Sequence, residues 1–274
     1  MKTLLFSIVV LVLGGIAGCA SPEPPRLEVP YRANLPLLDG TLRLNEWQNA
    51  GKISRFHAPS NRVEDARWAA VPTQVFVCWN ESGLAVLFLC RDPLLTVKPA
   101  YRDHPKLYEQ DVCEIFIDPH GKLQSYWELQ LNTQNILFDQ KITLGENPVW
   151  GSDGRLTDDF MKSCKREAAL DLKGIRHCTG PLYENGRKIG WFAQWFLPGI
   201  SLYGNDFSAG QILRAQFCRY DYGTDPNNPE QIFSYWSSQV LNGCPHSMPR
   251  QKGFLILQKN DPEPPRLPVE LTKQ

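Results

Sequence analysis

With 274 residues, 29 basic and 29 acidic side chains and 42% hydrophobic content, the chain is long enough to bury one large core. Its balanced charge gives no electrostatic basis for a nucleic-acid partner or for a polybasic surface that binds membranes. Eight Trp, nine Tyr and thirteen Phe suit a β-rich protein.

The amino terminus reads as a leader. Lys2 precedes an apolar run over residues 4–13, too short to span a bilayer, and Ile16-Ala17-Gly18-Cys19 follows. Those small residues resemble a bacterial lipobox, which implies cleavage before Cys19 and lipid on its sulfur; a plain signal peptide with an incidental cysteine is the alternative. Ala20, where some bacteria use Asp for inner-membrane retention, points to the outer membrane, with either a periplasmic or a surface face. The expected organisation is a signal peptide over residues 1–18, a Pro-rich tether over 19–30, one domain over 31–258 and a Pro-rich tail over 259–274.

Within the domain, residues 38–50 turn at Asp39-Gly40 and carry Glu46 and Trp47, the latter a core anchor. Residues 56–70 are polar and irregular around Trp68. Residues 73–79 and 84–90 form a hairpin about Asn80-Glu81-Ser82-Gly83, and the second strand is apolar enough to be buried on both faces. A loop over 94–107 then leads to Tyr108.

The next stretch organises the rest. Residues 112–118 alternate, with Cys113, Ile115 and Ile117 on one parity and Val112, Glu114, Phe116 and Asp118 on the other. Pro119-His120-Gly121 breaks the strand. Residues 126–132 alternate again, with Trp127, Leu129 and Leu131 opposed to Glu128, Gln130 and Asn132. Antiparallel pairing puts the odd residues on one apolar face and sets Glu114, Glu128, Gln130 and Asn132 side by side on the other. Such adjacent rows of acceptors and amides suit hydroxyl groups; an ordinary solvated face has the same alternation.

Residues 135–138 continue the sheet, and 142–160 form a Gly/Asp-rich loop holding Trp150. Residues 168–172 and 174–183 read as weaker strands. Asn185-Gly186 turns into a strand over 189–197, a short helical turn follows at 199–203, and 212–222, 233–236 and 253–258 are the last strands. A long loop over 237–252 contains His246. Trp127, Trp191, Trp195 and Trp236 lie in strand-like runs and belong to the core. Cys78, Cys90, Cys113, Cys164, Cys178, Cys218 and Cys244 lack zinc spacing, so no structural metal site is expected; several read as small buried hydrophobes. The predicted fold class is all-β, a single antiparallel β-sandwich with long loops and little helix.

The ordered motifs carry a resemblance. DGTLRLNEWQNA at residues 39–50, VFVCWNESGL at 75–84, EQDVCEIFIDP at 109–119, the aromatic pair at 126–127 before a strand ending in Asn132, WFAQWFLP at 191–198 and a closing Trp236 to Leu255 stretch are similar to family 9 carbohydrate-binding modules. The resemblance implies a DOMON-like β-sandwich that binds sugars, often at chain ends, with calcium in some members. Carried over by position, it implies Tyr108 as the first ring of an aromatic sandwich and Glu114 as the acidic hydrogen-bonding residue. Gln130 and Asn132 lie beneath, and His246 takes the place of the second ring. Tyr replaces Trp at the first ring, His stands at the second, and Gln130 holds a position where Arg is found in such members.

Glu128 and Trp150 are further candidate sugar contacts. Asp39, Glu46, Asp153, Asp158 and Asp159 are candidate calcium ligands, although no loop has EF-hand spacing. The expected partners are an oligo- or polysaccharide and, through Cys19, a membrane; no cofactor is required. Non-catalytic glycan binding is the main reading, because no GxSxG, HExxH or P-loop occurs. A structural lipoprotein with a degenerate pocket, a hydrolase using Glu114 and Glu128, and a haem-binding relative are the alternatives.

Overall fold

A computed structural model describes residues 23–59, 67–69, 72–92, 94–223, 231–237 and 244–259. The leader, Cys19 and the tail beyond residue 259 lie outside the described residues. Thirteen strands are formed among the described residues: β1 (Arg26–Val29), β2 (Gly51–Ile53), β3 (Thr73–Asn80), β4 (Gly83–Arg91), β5 (Val112–Asp118), β6 (Ser125–Asn132), β7 (Leu137–Thr143), β8 (Lys165–Glu167), β9 (Arg176–Glu184), β10 (Arg187–Pro198), β11 (Ile212–Tyr222), β12 (Gln231–Tyr235) and β13 (Gly253–Leu257). Two short helices accompany them, α1 (Asp158–Ser163) and α2 (Gly199–Tyr203).

The strands make a sandwich of two open sheets. The larger runs β1-β13-β11-β5-β6-β7-β8, with β12 also paired to β11, and the smaller runs β2-β3-β4-β10-β9. Pairing is antiparallel within both sheets except between β1 and β13, which run parallel. Turn chemistry sets the hairpins. Asn185 and Gly186, both at positive φ (51° and 76°), join β9 to β10 as a type I′ turn would demand.

Side-chain alternation then fills the space between the sheets. Cys113, Ile115, Ile117, Trp127, Leu129 and Leu131 meet Val75, Val77, Val86, Phe88, Trp191 and Trp195 in one buried cluster that also holds Trp236. Strand β4 is buried on both faces because Trp47, Phe192, Ala85 and Leu87 form a second apolar layer outside the smaller sheet.

The larger sheet is also covered on its outer side. Leu107, Phe116, Tyr126, Ile142, Leu144, Leu156, Phe160 and Met161 pack there, so the even-numbered face of β5 and β6 is interior. Three sequence expectations change, and the first is that the row of Glu114, Glu128, Gln130 and Asn132 faces a ligand or solvent: the apolar layer just described covers it. Residues 26–29, expected to be part of the tether, add an edge strand, and Val29 is fully buried because β13 offers it a parallel partner. Residues 168–172, expected to be a strand, form turns after the short β8, since Asp171 and Leu172 are drawn to Arg102 and Asp139 instead of to a strand.

Candidate functional site

The register of β5, β6 and β7 builds a polar row. Glu114 stands opposite Gln130, Phe116 opposite Glu128, and Glu128 opposite Gln140, so cross-strand neighbours meet on one face. Gln130 Nε2 donates to Glu114 Oε1 at 2.9 Å and to Glu128 Oε1 at 2.8 Å. Gln140 Nε2 donates to Glu128 Oε2. From the segment before β13, His246 brings Nε2 to 3.4 Å from Glu128 Oε2 and Nδ1 to 2.9 Å from the Tyr126 hydroxyl. Among the described residues the buried Gln130 Oε1 has no hydrogen-bond partner, while Glu114 interacts with the Tyr220 hydroxyl without a well-formed hydrogen bond to its Oε2.

The two carboxyls are driven apart electrostatically. Burial, then the charge of Glu128, pushes Glu114 well above the usual carboxylate range and so favours its protonated form. Burial acts the same way on Glu128, but the His246 imidazole and the Gln140 amide outweigh it and bring the group to about 2. The result is a neutral acid and a carboxylate bridged by one amide.

Lys252, which the sequence reading passed over, sits against this row. Its Nζ lies 4.0 Å from the Tyr126 ring centroid and 5.7 Å from that of Phe116, in cation–π contact. The residue is buried, its ammonium has no hydrogen-bond partner among the described residues, and burial lowers its pKa to about 7. A lone Lys before a strand reads as solvent-facing, so no sequence signal marks it. Gln140 was missed for the same reason.

The remaining sequence candidates fall around this row. Asn132 Nδ2 donates to Gln110 Oε1 at 3.1 Å, and its Oδ1 accepts from the Gln134 and Ile136 amides at 3.0 and 2.8 Å, which shapes the β6–β7 turn. Tyr108 lies in a 3-10 turn (Leu107–Glu109) two residues before Gln110 and is 40% exposed. It therefore marks the Asn132 end of β6, whereas His246 marks the Tyr126 end, about 20 Å away at the rise of an extended chain. Trp150 bridges to Leu156 and carries the Arg250 guanidinium 3.7 Å over its ring.

Four of the five carboxylates considered for calcium have a protein partner: Asp39 binds Arg43, Glu46 accepts from the Leu37 amide, Asp153 binds Arg155 and Asp159 binds Lys162; the fifth, Asp158, starts α1. Two other carboxylate groups converge, Asp92 with Asp111 and Asp221, and Asp103 with Asp139 and Asp171. Each already holds a cation of the protein. Arg219 Nη2 donates to Asp92 at 2.7 Å and Asp221 at 3.2 Å, and Arg102 binds all three of the second group. With three carboxylates and one guanidinium, each group carries a formal charge of −2 when fully ionised, so arginine occupies these clusters without balancing them.

The profile described as "Carbohydrate family 9 binding domain-like" matches residues 38–178. Among solved structures, a family 9 carbohydrate-binding module from Caldicellulosiruptor kristjanssonii in complex with cellotriose is similar, at 16% identity and a TM-score of 0.56 over 89% of this chain and 99% of that one. The same module with glucose gives 16% and 0.56 over 88% and 100%. A protein of Bacteroides uniformis proposed to bind carbohydrate gives 12% and 0.61 over 86% and 100%. No curated protein sequence matches the chain.

Proposed function

This chain belongs to the carbohydrate family 9 binding domain-like family, and from that premise we propose that it binds an oligo- or polysaccharide without turning it over. One observation carries the reading: Glu114, Glu128, Gln130 and Gln140 converge on neighbouring strands, and the buried acceptor Gln130 Oε1 has no hydrogen-bond partner among the described residues. Buried polar atoms are paired as a rule, and an orphan in a family that binds sugars suits a hydroxyl donor. A protonated Glu114 adds a donor to this set of acceptors. Each neutral hydrogen bond contributes only about 0.5–1.5 kcal/mol, so the convergence of several is what gives usable affinity.

His246, its side chain 19% exposed against 5% for Glu128, lies over a row that is otherwise covered, so a sugar has to displace part of that cover to reach it. Tyr108 supplies an exposed ring at the other end of β6, where a longer glycan chain can lie across it. Hydrolysis is the lesser reading. The split carboxyls favour it, but the Gln130 amide fills the gap in which a scissile bond would have to sit. The leader and Cys19 complete the proposal: a lipid anchor would hold the module at the outer membrane, where it captures glycan for breakdown.

A glycan array with wild type, Tyr108→Ala and Gln130→Leu tests this reading. Saturable binding that Gln130→Leu abolishes and Tyr108→Ala weakens, with no reducing ends released, supports it. Equal binding by all three proteins would remove the assigned row from the site. The anchor is tested separately by growing cells with labelled palmitate, which Cys19→Ser should no longer incorporate.

A further inference from the structure

Seven cysteines lie among the described residues, and two of them face each other across the sandwich. Cys90 closes β4 in the smaller sheet, Cys113 opens β5 in the larger, and their sulfurs are 3.4 Å apart. Both are fully buried in the core between the sheets. Free thiols in a hydrophobic core need no particular partner, whereas this pair is in direct sulfur contact. Closing to a disulfide needs about 1.4 Å of further travel, to the S–S length of about 2.05 Å.

A second feature sits beside the pair. Arg219 of β11 pairs in register with Cys113, and its guanidinium acts electrostatically on both sulfurs. Its Nε and Nη1 are buried with no oxygen or nitrogen acceptor among the described residues, leaving the two sulfurs as neighbours. Burial opposes ionisation of both thiols, yet contact with Cys113 and with Arg219 brings Cys90 below the ordinary thiol range, while Cys113 is raised.

We propose that Cys90 and Cys113 are a site of oxidative cross-linking, forming a disulfide between the two sheets by exchange with a disulfide oxidant. The Cys90 thiolate attacks one sulfur of the oxidant, whose S–S bond breaks and releases the first thiol. Cys113 loses its proton and attacks the Cys90 sulfur of the mixed disulfide, releasing the second. One S–S bond forms, one breaks, and the two electrons leave on the oxidant as two thiols. Because neither sulfur is exposed, exchange occurs before the core closes. The cross-link then spans a separation of 23 residues and ties β4 to β5, the strand that carries Glu114.

The test is to refold the full mature chain with glutathione disulfide, or with dithiothreitol, and to alkylate it under denaturing conditions before proteolysis and mass mapping. The expected result is a linked peptide pair containing Cys90 and Cys113 after glutathione disulfide, absent after dithiothreitol, with unfolding in urea at least tenfold slower in the oxidised form. The C90A/C113A double variant should unfold at one rate under both conditions. If that variant does not fold, the wild-type peptide map and the two wild-type rates decide the question. Separate alkylation of Cys90 and Cys113 after oxidative refolding, linkage of either to another cysteine, or equal wild-type unfolding rates would overturn the proposal.

Discussion

His246 reaches Glu128 across the outer face of the larger sheet, Nε2 to Oε2 at 3.4 Å, and so ties the segment before β13 to the middle of β6. The contact pins a covering loop onto a buried carboxylate, and it does so at the one point in the row where solvent has partial access.

Glu128 should therefore support the fold over a defined acid range. Its folded pKa of about 2 lies below the unfolded value near 4.3, so its contribution is present above about pH 4.3 and is lost as pH falls toward about 2. Glu128→Gln should cost on the order of 1–3 kcal/mol at pH 7, with the gap to wild type closing below about pH 3. Urea unfolding at pH 7 and pH 3 measures it. A gap of the same size at both pH values would contradict the ion-pair account.

Glu114 should behave in the opposite sense. Its pKa is raised on folding, so the folded state keeps a proton that the unfolded chain releases above about pH 4.3, and stability falls as pH rises from there. Glu114→Gln is neutral at every pH and escapes that penalty. Its melting temperature should exceed that of wild type at pH 7 and approach it near pH 4. A variant less stable at pH 7 would show that Glu114 is ionised in the folded protein.

Much of this arrangement was legible in the sequence because strand alternation has period two. The odd residues of β5 and β6 could only face an apolar layer, and they pack against β3, β4 and β10 as expected. The polar row was legible as a row, and the structure joins Glu114, Gln130, Glu128 and His246 in one hydrogen-bonded chain. The cover over that row was not legible. Leu144, Leu156, Phe160 and Met161 come from an irregular Gly/Asp-rich stretch with no period to show which side chains turn inward. Arg219 and Lys252 were missed because a single charged residue in a strand or at its edge reads as solvated unless its buried counterions or rings, supplied by distant segments, are known.

Lys252 predicts a rise in stability on the alkaline side. Folding lowers its pKa to about 7 from an unfolded value near 10.4, so between those values the unfolded chain binds the extra proton. Stability should then increase with pH across that window, by at most about 1.4 kcal/mol per pH unit from this group. Lys252→Met keeps the packing on Tyr126 and removes the titration. Its stability between pH 7 and 10 should be flatter than that of wild type by this amount. Parallel slopes in the two proteins would place the wild-type ammonium in a charged state with a partner.

Arg219 predicts the largest loss. It is fully buried, donates to Asp92 at 2.7 Å and Asp221 at 3.2 Å, and lies 5.0 Å over the Trp191 ring. Asp111, held by the Thr96 and Tyr222 amides, is already raised by burial to about 7, with the Arg219 charge acting to lower it. Arg219→Met leaves these buried carboxylates without their cation and should cost about 3–5 kcal/mol at pH 8. Arg219→Lys should restore the charge but only part of the stability, because an ammonium cannot lay a flat guanidinium over the Trp191 ring while donating to Asp92 and Asp221. Acid should rescue Arg219→Met in part, since protonated carboxyls no longer need a counterion. Unfolding measured in dithiothreitol at pH 5 and pH 8 separates this effect from any change at Cys90 and Cys113. A loss that is equal at both pH values would mean that Arg219 acts through packing on Trp191 and not through its charge.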